Sequence, residues 1–267
     1  MKFINKLKNV YEESDKKTLF VYLLLRFLII ICMLRELYNG NASNALLCVF
    51  SLILLLLPFF IEKAFKVDLP SILEIIILTF IFSAEILGEI NNYYVTVKNF
   101  DTILHTINGF LCASIGFSLV YLLNKNIDCI NLSPFFVALV SFCFSMTVGV
   151  VWEFFEYGMD NLFNLDMQKD RYIYKLNTVI LDPKNENNVI TVDNIDYTIL
   201  YNAENELIRL EGYLDIGLHD TMKDLIVNFI GALVYSVFGY LYIINEEKYR
   251  FASKFMIKGE TNENNRN

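Results

Sequence analysis

Six runs of mainly apolar residues, at about 18–36, 44–62, 71–89, 103–124, 134–160 and 222–244, are separated by polar segments. A membrane-spanning helix needs about 20 mainly apolar residues, each adding about 1.5 Å, so the pattern predicts an all-α polytopic membrane protein with about six transmembrane helices. The first run has no convincing small-x-small cleavage site, which predicts a first span and not a removable signal peptide. The segment from 161 to 219 changes period. Thr178–Leu181, Val189–Val192, Tyr197–Tyr201 and Leu207–Leu210 are short β-branched or alternating stretches, divided by the turn-prone Asp182-Pro183-Lys184-Asn185 and Asn202-Ala203-Glu204-Asn205. Such punctuation predicts a small antiparallel β-element.

Composition supports a bilayer as the solvent. Of 267 residues 55% are hydrophobic, 23 are Phe and only four are Pro, with a mean hydropathy of +0.42, which is more apolar surface than one soluble core absorbs. Orientation follows from Lys and Arg, which accumulate in cytoplasmic loops. With the amino terminus inside, the cytoplasmic segments hold Lys2, Lys6, Lys8, Lys16 and Lys17, then Lys63 and Lys66, then Lys125, and finally Lys248, Arg250, Lys254, Lys258 and Arg266; the two short outer loops hold only Arg35 and Lys98. The expected organisation is 1–160 as spans one to five with a cytoplasmic amino terminus, 161–219 as an extracytoplasmic acidic loop, 220–245 as span six, and 246–267 as a cytoplasmic, partly disordered tail. Residues 160–220 carry twelve acids and five bases, nearly the whole net charge of −8. That balance excludes nucleic acid as a partner and leaves membrane lipids.

Ionisable residues inside the apolar runs are the candidate chemistry, because charge within a membrane is costly and marks a working site. They are Asp101 and His105 in the fourth run, Glu153, Glu156 and Asp160 in the fifth, and Asp220, Asp224 and Asn228 in the sixth. In each helix the spacing places them on one stripe, and the topology puts all three stripes, with Glu85 and Glu89, near one leaflet. Crowded carboxylates share protons, raise their pKa values or bind a cation. A divalent metal ion held by His105, Glu153, Glu156 and Asp224 fits hard or borderline cations with positions open to water or phosphate.

Plainer roles stand beside these. Asp101 and Asp220 sit where an N-cap belongs, Asp160 sits at a solvated helix end, and a lone His is most often a hydrogen-bonded structural residue. Arg26 snorkels or pairs with Glu74, Trp152 and its neighbours fit an aromatic belt, and Gly109, Gly116, Gly149, Gly231 and Gly239 fit close helix contacts. Cys32, Cys48, Cys112, Cys129 and Cys143 form no CxxC, and no P-loop, nucleophile elbow or dinucleotide fingerprint is present.

Asp101-x3-His105-x3-Gly109, Trp152-Glu153-Phe154-Phe155-Glu156-x3-Asp160 and Asp220-Thr221-Met222-x-Asp224-Leu225-Ile226-x-Asn228-x2-Gly231 resemble the YjdF-like bacterial inner-membrane proteins, as does Asn164–Gln168. Asp224 to Gly231 is also similar, more distantly, to VanZ-like proteins implicated in glycopeptide-antibiotic resistance. The resemblance implies a bacterial plasma membrane and supplies no reaction. Three expectations follow: an outer-leaflet site for a divalent cation and a phosphate-bearing lipid or envelope precursor; a non-catalytic envelope-stress or resistance protein; and a cation- or proton-coupled transporter.

Overall fold

The computed structural model describes residues 15–65, 67–127, 131–204 and 207–259; the expectations for Lys2, Lys6, Lys8, Lys66, Cys129 and the polar tail from 261 lie outside them. Six helices among the described residues are long and apolar enough to cross a membrane: Lys16–Tyr38, Ala42–Ala64, Ser71–Ile90, Phe100–Lys125, Pro134–Phe163 and Leu218–Ile244. Only 22–39% of the most apolar window of each is buried in the protein. Phe20, Phe27 and Leu34, seven residues apart along the first span, are more than half exposed. Such outward apolar surface suits lipid and not water.

The chain divides into two compact units, 1–149 with 225–267, and 150–224. In the first unit, α1 (Lys16–Tyr38) starts at the N-cap Asp15, whose carboxylate accepts the Lys17 amide at 3.3 Å. It turns back through Gly40, at φ +79°, into α2 (Ala42–Leu54). The buried Glu36 closes that turn by accepting from Arg35 at 2.8 Å and from Asn41 and Asn44 at 3.0 Å each. The second span is not one regular helix. It is interrupted at Leu55 and Leu56 before α3 (Leu57–Phe65), whose second residue is Pro58, a residue that lacks a backbone N–H and suits a helix start.

β1 (Val67–Asp68) leads into α4 (Ser71–Phe82), which continues as a π-helix over Ser83–Ile90. A single helical turn at Tyr93–Thr96 and the left-handed Asn92 and Asn99 then lead into α5 (Phe100–Asn126). The apolar core gathers Ile29, Cys48, Leu55, Leu73 and Leu78, and a second cluster gathers Ala113, Phe117, Val137, Ala232 and Tyr235. Arg26 lies over the Tyr22 ring at 4.7 Å and donates to the Leu52 carbonyl at 3.5 Å; these contacts, and not a pair with Glu74, are its described partners. Two further helices, α6 (Pro134–Phe163) and α7 (Leu218–Ile244), contribute residues to both units.

The second unit holds the end of α6, the start of α7 and three antiparallel strand pairs. β2 (Arg171–Ile173) pairs with β7 (Tyr213–Asp215), β3 (Lys175–Thr178) with β4 (Ile190–Asp193), and β5 (Tyr197–Tyr201) with β6 (Leu207–Glu211). The expected stretch at Thr178–Leu181 contributes only Thr178, because the chain turns directly after it. Asp182 makes that turn by accepting the amides of Lys184, Glu186 and Asn188 at 2.9–3.1 Å.

Candidate functional site

Three helices of the first unit carry small or polar residues at steps of four. These are Asp101, His105, Gly109 and Ala113 on α5, Ser141, Ser145 and Gly149 on α6, and Asn228, Ala232 and Ser236 on α7; the same steps of four in sequence lead to Glu153 on α6 and Asp224 on α7, which belong to the second unit. Steps of four form the ridges along which helices pack. The residues of the first unit pin these ridges together. Ser145 donates to the Gly109 carbonyl at 2.8 Å and Ser141 to the Ala113 carbonyl at 2.7 Å, while the Ser141 and Ser236 hydroxyls lie 3.3 Å apart.

At the tightest point the backbones nearly touch. A methyl group on Gly109 would overlap the Asn228 carbonyl oxygen, one on Gly231 would overlap the Thr106 carbonyl oxygen, and one on Gly149 would come within 2.7 Å of the Asn228 amide nitrogen. Asn228 is 1% exposed. It accepts from Asn108 at 3.4 Å and donates toward the Ser145 carbonyl at 3.5 Å.

The Gly109–Asn228, Phe117–Gly239 and Tyr121–Tyr242 contacts advance together along α5 and α7, so these two helices run parallel. Ser145–Gly109 and Ser141–Ala113 advance oppositely, so α6 is antiparallel to both. One turn before Gly109, the His105 Nε2 lies 3.3 Å from Asp101 Oδ1. A carboxylate on one ring nitrogen fixes the imidazole tautomer and orientation. Asp101 is therefore not the N-cap of α5. Asn99 occupies that position, without a side-chain cap.

The remaining candidates belong to the second unit. Glu153 and Glu156 are buried, at 5% and 8% exposure, on the end of α6, and Trp152 donates to Glu156 Oε1 at 2.8 Å. Asp224 is buried, with Lys223 Nζ 3.5 Å away. Asp160 accepts the amides of Met167 and Gln168 at 2.6 and 2.9 Å, and Asp220 accepts the Lys169 amide at 2.9 Å. These two acids hold the segment after α6 against the start of α7, an arrangement completed by Gln168 donating to Thr221. Asp220 does not cap α7 either; Asp215 accepts the His219 amide at 3.0 Å. In the same segment the Asp170 carboxyl lies above its ordinary value, first through burial and then through the charges of Asp166, Asp160 and Asp215.

Sequence reasoning missed Asn108, Ser141, Ser145 and Lys223. The three polar residues of α5 and α6 carry no charge to mark them. Their signal was register: Ser141, Ser145, Gly149 and Glu153 are four apart, and Asn108 follows His105 by three. Glu85 and Glu89 lie in the π-helical end of the third span, half-buried and exposed respectively.

Six apolar helices with strand pairs between the fifth and the sixth, and with polar stripes on the last three, define a polytopic α-helical membrane protein. The chain belongs to the family described as Predicted membrane protein (DUF2238), which matches residues 18–245; the YjdF-like pattern is a pattern of this family. No curated protein and no solved structure matches the chain.

Proposed function

We propose that this protein sits in a bacterial plasma membrane with both termini cytoplasmic, and that it binds a divalent cation, and through it a phosphate-bearing lipid or envelope precursor, at the outer ends of α5, α6 and α7. In this reading 161–219 is an extracytoplasmic acidic, β-rich loop, 1–160 and 220–245 form the membrane part and 246–267 is a cytoplasmic tail. The single observation that carries it is the three-helix register. At Gly109, Gly149 and Asn228 the helices are in contact, with α5 and α7 parallel and α6 antiparallel. One further step of four along each stripe carries His105, Glu153 and Asp224, with Asp101 and Glu156 one turn away.

An imidazole with carboxylates suits Mg²⁺, Mn²⁺ or Zn²⁺, and a cation offsets the mutual repulsion of the acids. Its open positions take phosphate oxygens. The experiment is elemental analysis of the purified protein beside His105→Gln and Asp224→Asn. One divalent ion per chain, lost in both variants, supports the reading; no metal in the wild type refutes it.

The second reading is a non-catalytic resistance or envelope-stress protein whose polar residues hold helices together, as in the VanZ-like resemblance. Asp160 and Asp220 favour it, since their carboxylates bind backbone amides. The packing below Asn228 weighs against a transport path. Ser141 and Ser145 are fully buried and donate into a neighbouring helix.

A further inference from the structure

At the end of the bundle away from His105, a cleft of about 1260 Å³ opens in the first unit. Typical small-molecule sites enclose on the order of 300–1,000 Å³. Its walls are the first turns of α1 and α4, the end of the second span, and the segment after α7, a 3₁₀-helix (Arg250–Phe255) joined to β1 by β8 (Lys258–Gly259). Its charged lining divides by origin. The acids Asp15, Glu62 and Glu74 come from the starts and ends of the spans and Asp68 from β1, whereas the bases Arg250, Lys254 and Lys258 all come from the segment after α7. Tyr22 and Phe59 add apolar surface that continues toward the lipid-facing helices.

Seven opposite charges in one cleft would ordinarily pair with one another. Among the described residues none of these acids pairs with any of these bases, although Asp68 and Lys258 are register partners in the β1–β8 ladder. Two acids have backbone duties: Asp15 caps α1, and Glu62 accepts the Leu69 amide at 2.9 Å. Glu74, half-buried in the first turn of α4, has no hydrogen bond or ion pair among the described residues.

We infer that this cleft binds the headgroup of a phospholipid carrying a primary ammonium, of the phosphatidylethanolamine type. The phosphate meets Arg250, Lys254 and Lys258, the ammonium meets Glu74 and its neighbouring acids, and the upper acyl chains lie along Tyr22 and Phe59. An anionic headgroup satisfies the bases and is repelled by the acids. A choline headgroup satisfies both charges but offers no N–H to a carboxylate. Only the primary ammonium zwitterion answers both walls. The cleft begins where the apolar spans end, and Tyr22 lies about 10 Å along α1 from Asp15 at 1.5 Å per residue, so a headgroup entering here keeps its chains in the hydrocarbon.

The test is native mass spectrometry of the full chain, delipidated in detergent and titrated separately with phosphatidylethanolamine, phosphatidylglycerol and phosphatidylcholine. The expected result is a phosphatidylethanolamine preference of about fivefold over either of the others, in line with one or two partly exposed charge pairs. Glu74→Gln should abolish the preference over phosphatidylcholine. Lys254→Ala, at an exposed position, should weaken all three lipids together. His105→Gln should change none of them, which separates this cleft from the cation site. Equal binding of the three lipids, a phosphatidylglycerol preference, or an ethanolamine preference that survives both Glu74→Gln and Lys254→Ala would overturn the proposal.

Discussion

Replacing Gly109 with Ala tests whether the α5–α7 crossing is as close as the structure has it. The new methyl group would overlap the Asn228 carbonyl oxygen, which is backbone on a facing helix and cannot turn aside as a side chain can. The helices must part. Overpacking of this kind costs about 1–3 kcal/mol, and the parting also stretches the Asn108–Asn228 and Ser145–Gly109 hydrogen bonds, each worth about 0.6 kcal/mol in a membrane. The expected destabilisation is about 2–4 kcal/mol. Gly158 on α6 is the matched control, with nothing within 4 Å of an added methyl; there Ala gains about 0.5–1 kcal/mol of helix propensity. The two substitutions should therefore have opposite signs in reversible unfolding by sodium dodecyl sulfate in mixed micelles. A Gly109→Ala protein as stable as wild type, or a Gly158→Ala protein equally damaged, would refute the reasoning.

Three further outcomes are expected. Asp182→Ala should open the 182–188 turn, seen as trypsin cleavage at Lys184 in otherwise folded protein. The Asp182 carboxyl lies below its ordinary value because the Asn188 and Lys184 amides bind its charged form. Its folded pKa being depressed, the stability it contributes is complete above the unfolded aspartate value of about 3.9 and is lost as pH falls through the lower folded value. Amide exchange at Glu186 and Asn188, corrected for intrinsic rates, should thus be flat from neutral pH to about 5 and accelerate only below about 4; acceleration already at pH 6 would contradict this. Asp160→Ala should cost about 1–3 kcal/mol by leaving the Met167 and Gln168 amides unmatched, measured by the same unfolding assay, and should expose Lys169 to trypsin.

The six spans were legible because a run of about 20 apolar residues has few other uses. The interruption at Leu55–Leu56 was not, since every residue there is apolar, and Pro58 was the only mark. The π-helix over Ser83–Ile90 was equally hidden, because one residue more per hydrogen-bonded ring leaves no compositional trace. β5 and β6 were found from alternation. β2 and β7 were missed because each has three residues and the partner lies some forty residues away. For the candidate site, periodicity marked polar stripes at steps of four, while roles depended on neighbours. Asp160 and Asp220 resemble Glu153 and Asp224 in sequence, yet the former pair binds backbone amides and the latter lies buried in helix. Asn108 became visible only when Asn228 was placed beside it.

The central proposal is a cation held by His105 with carboxylates one turn beyond the Gly109–Asn228 contact. Mn²⁺ added to the metal-depleted protein and examined by electron spin echo envelope modulation tests it most directly, because coupling to an imidazole nitrogen reports a His ligand. His105 and His219 are the two histidines of the chain, and His219 stands exposed beside Asp215. The account predicts one bound Mn²⁺ with nitrogen coupling that disappears in His105→Gln and persists in His219→Gln. Bound Mn²⁺ without nitrogen coupling, or coupling unchanged in His105→Gln, would contradict it.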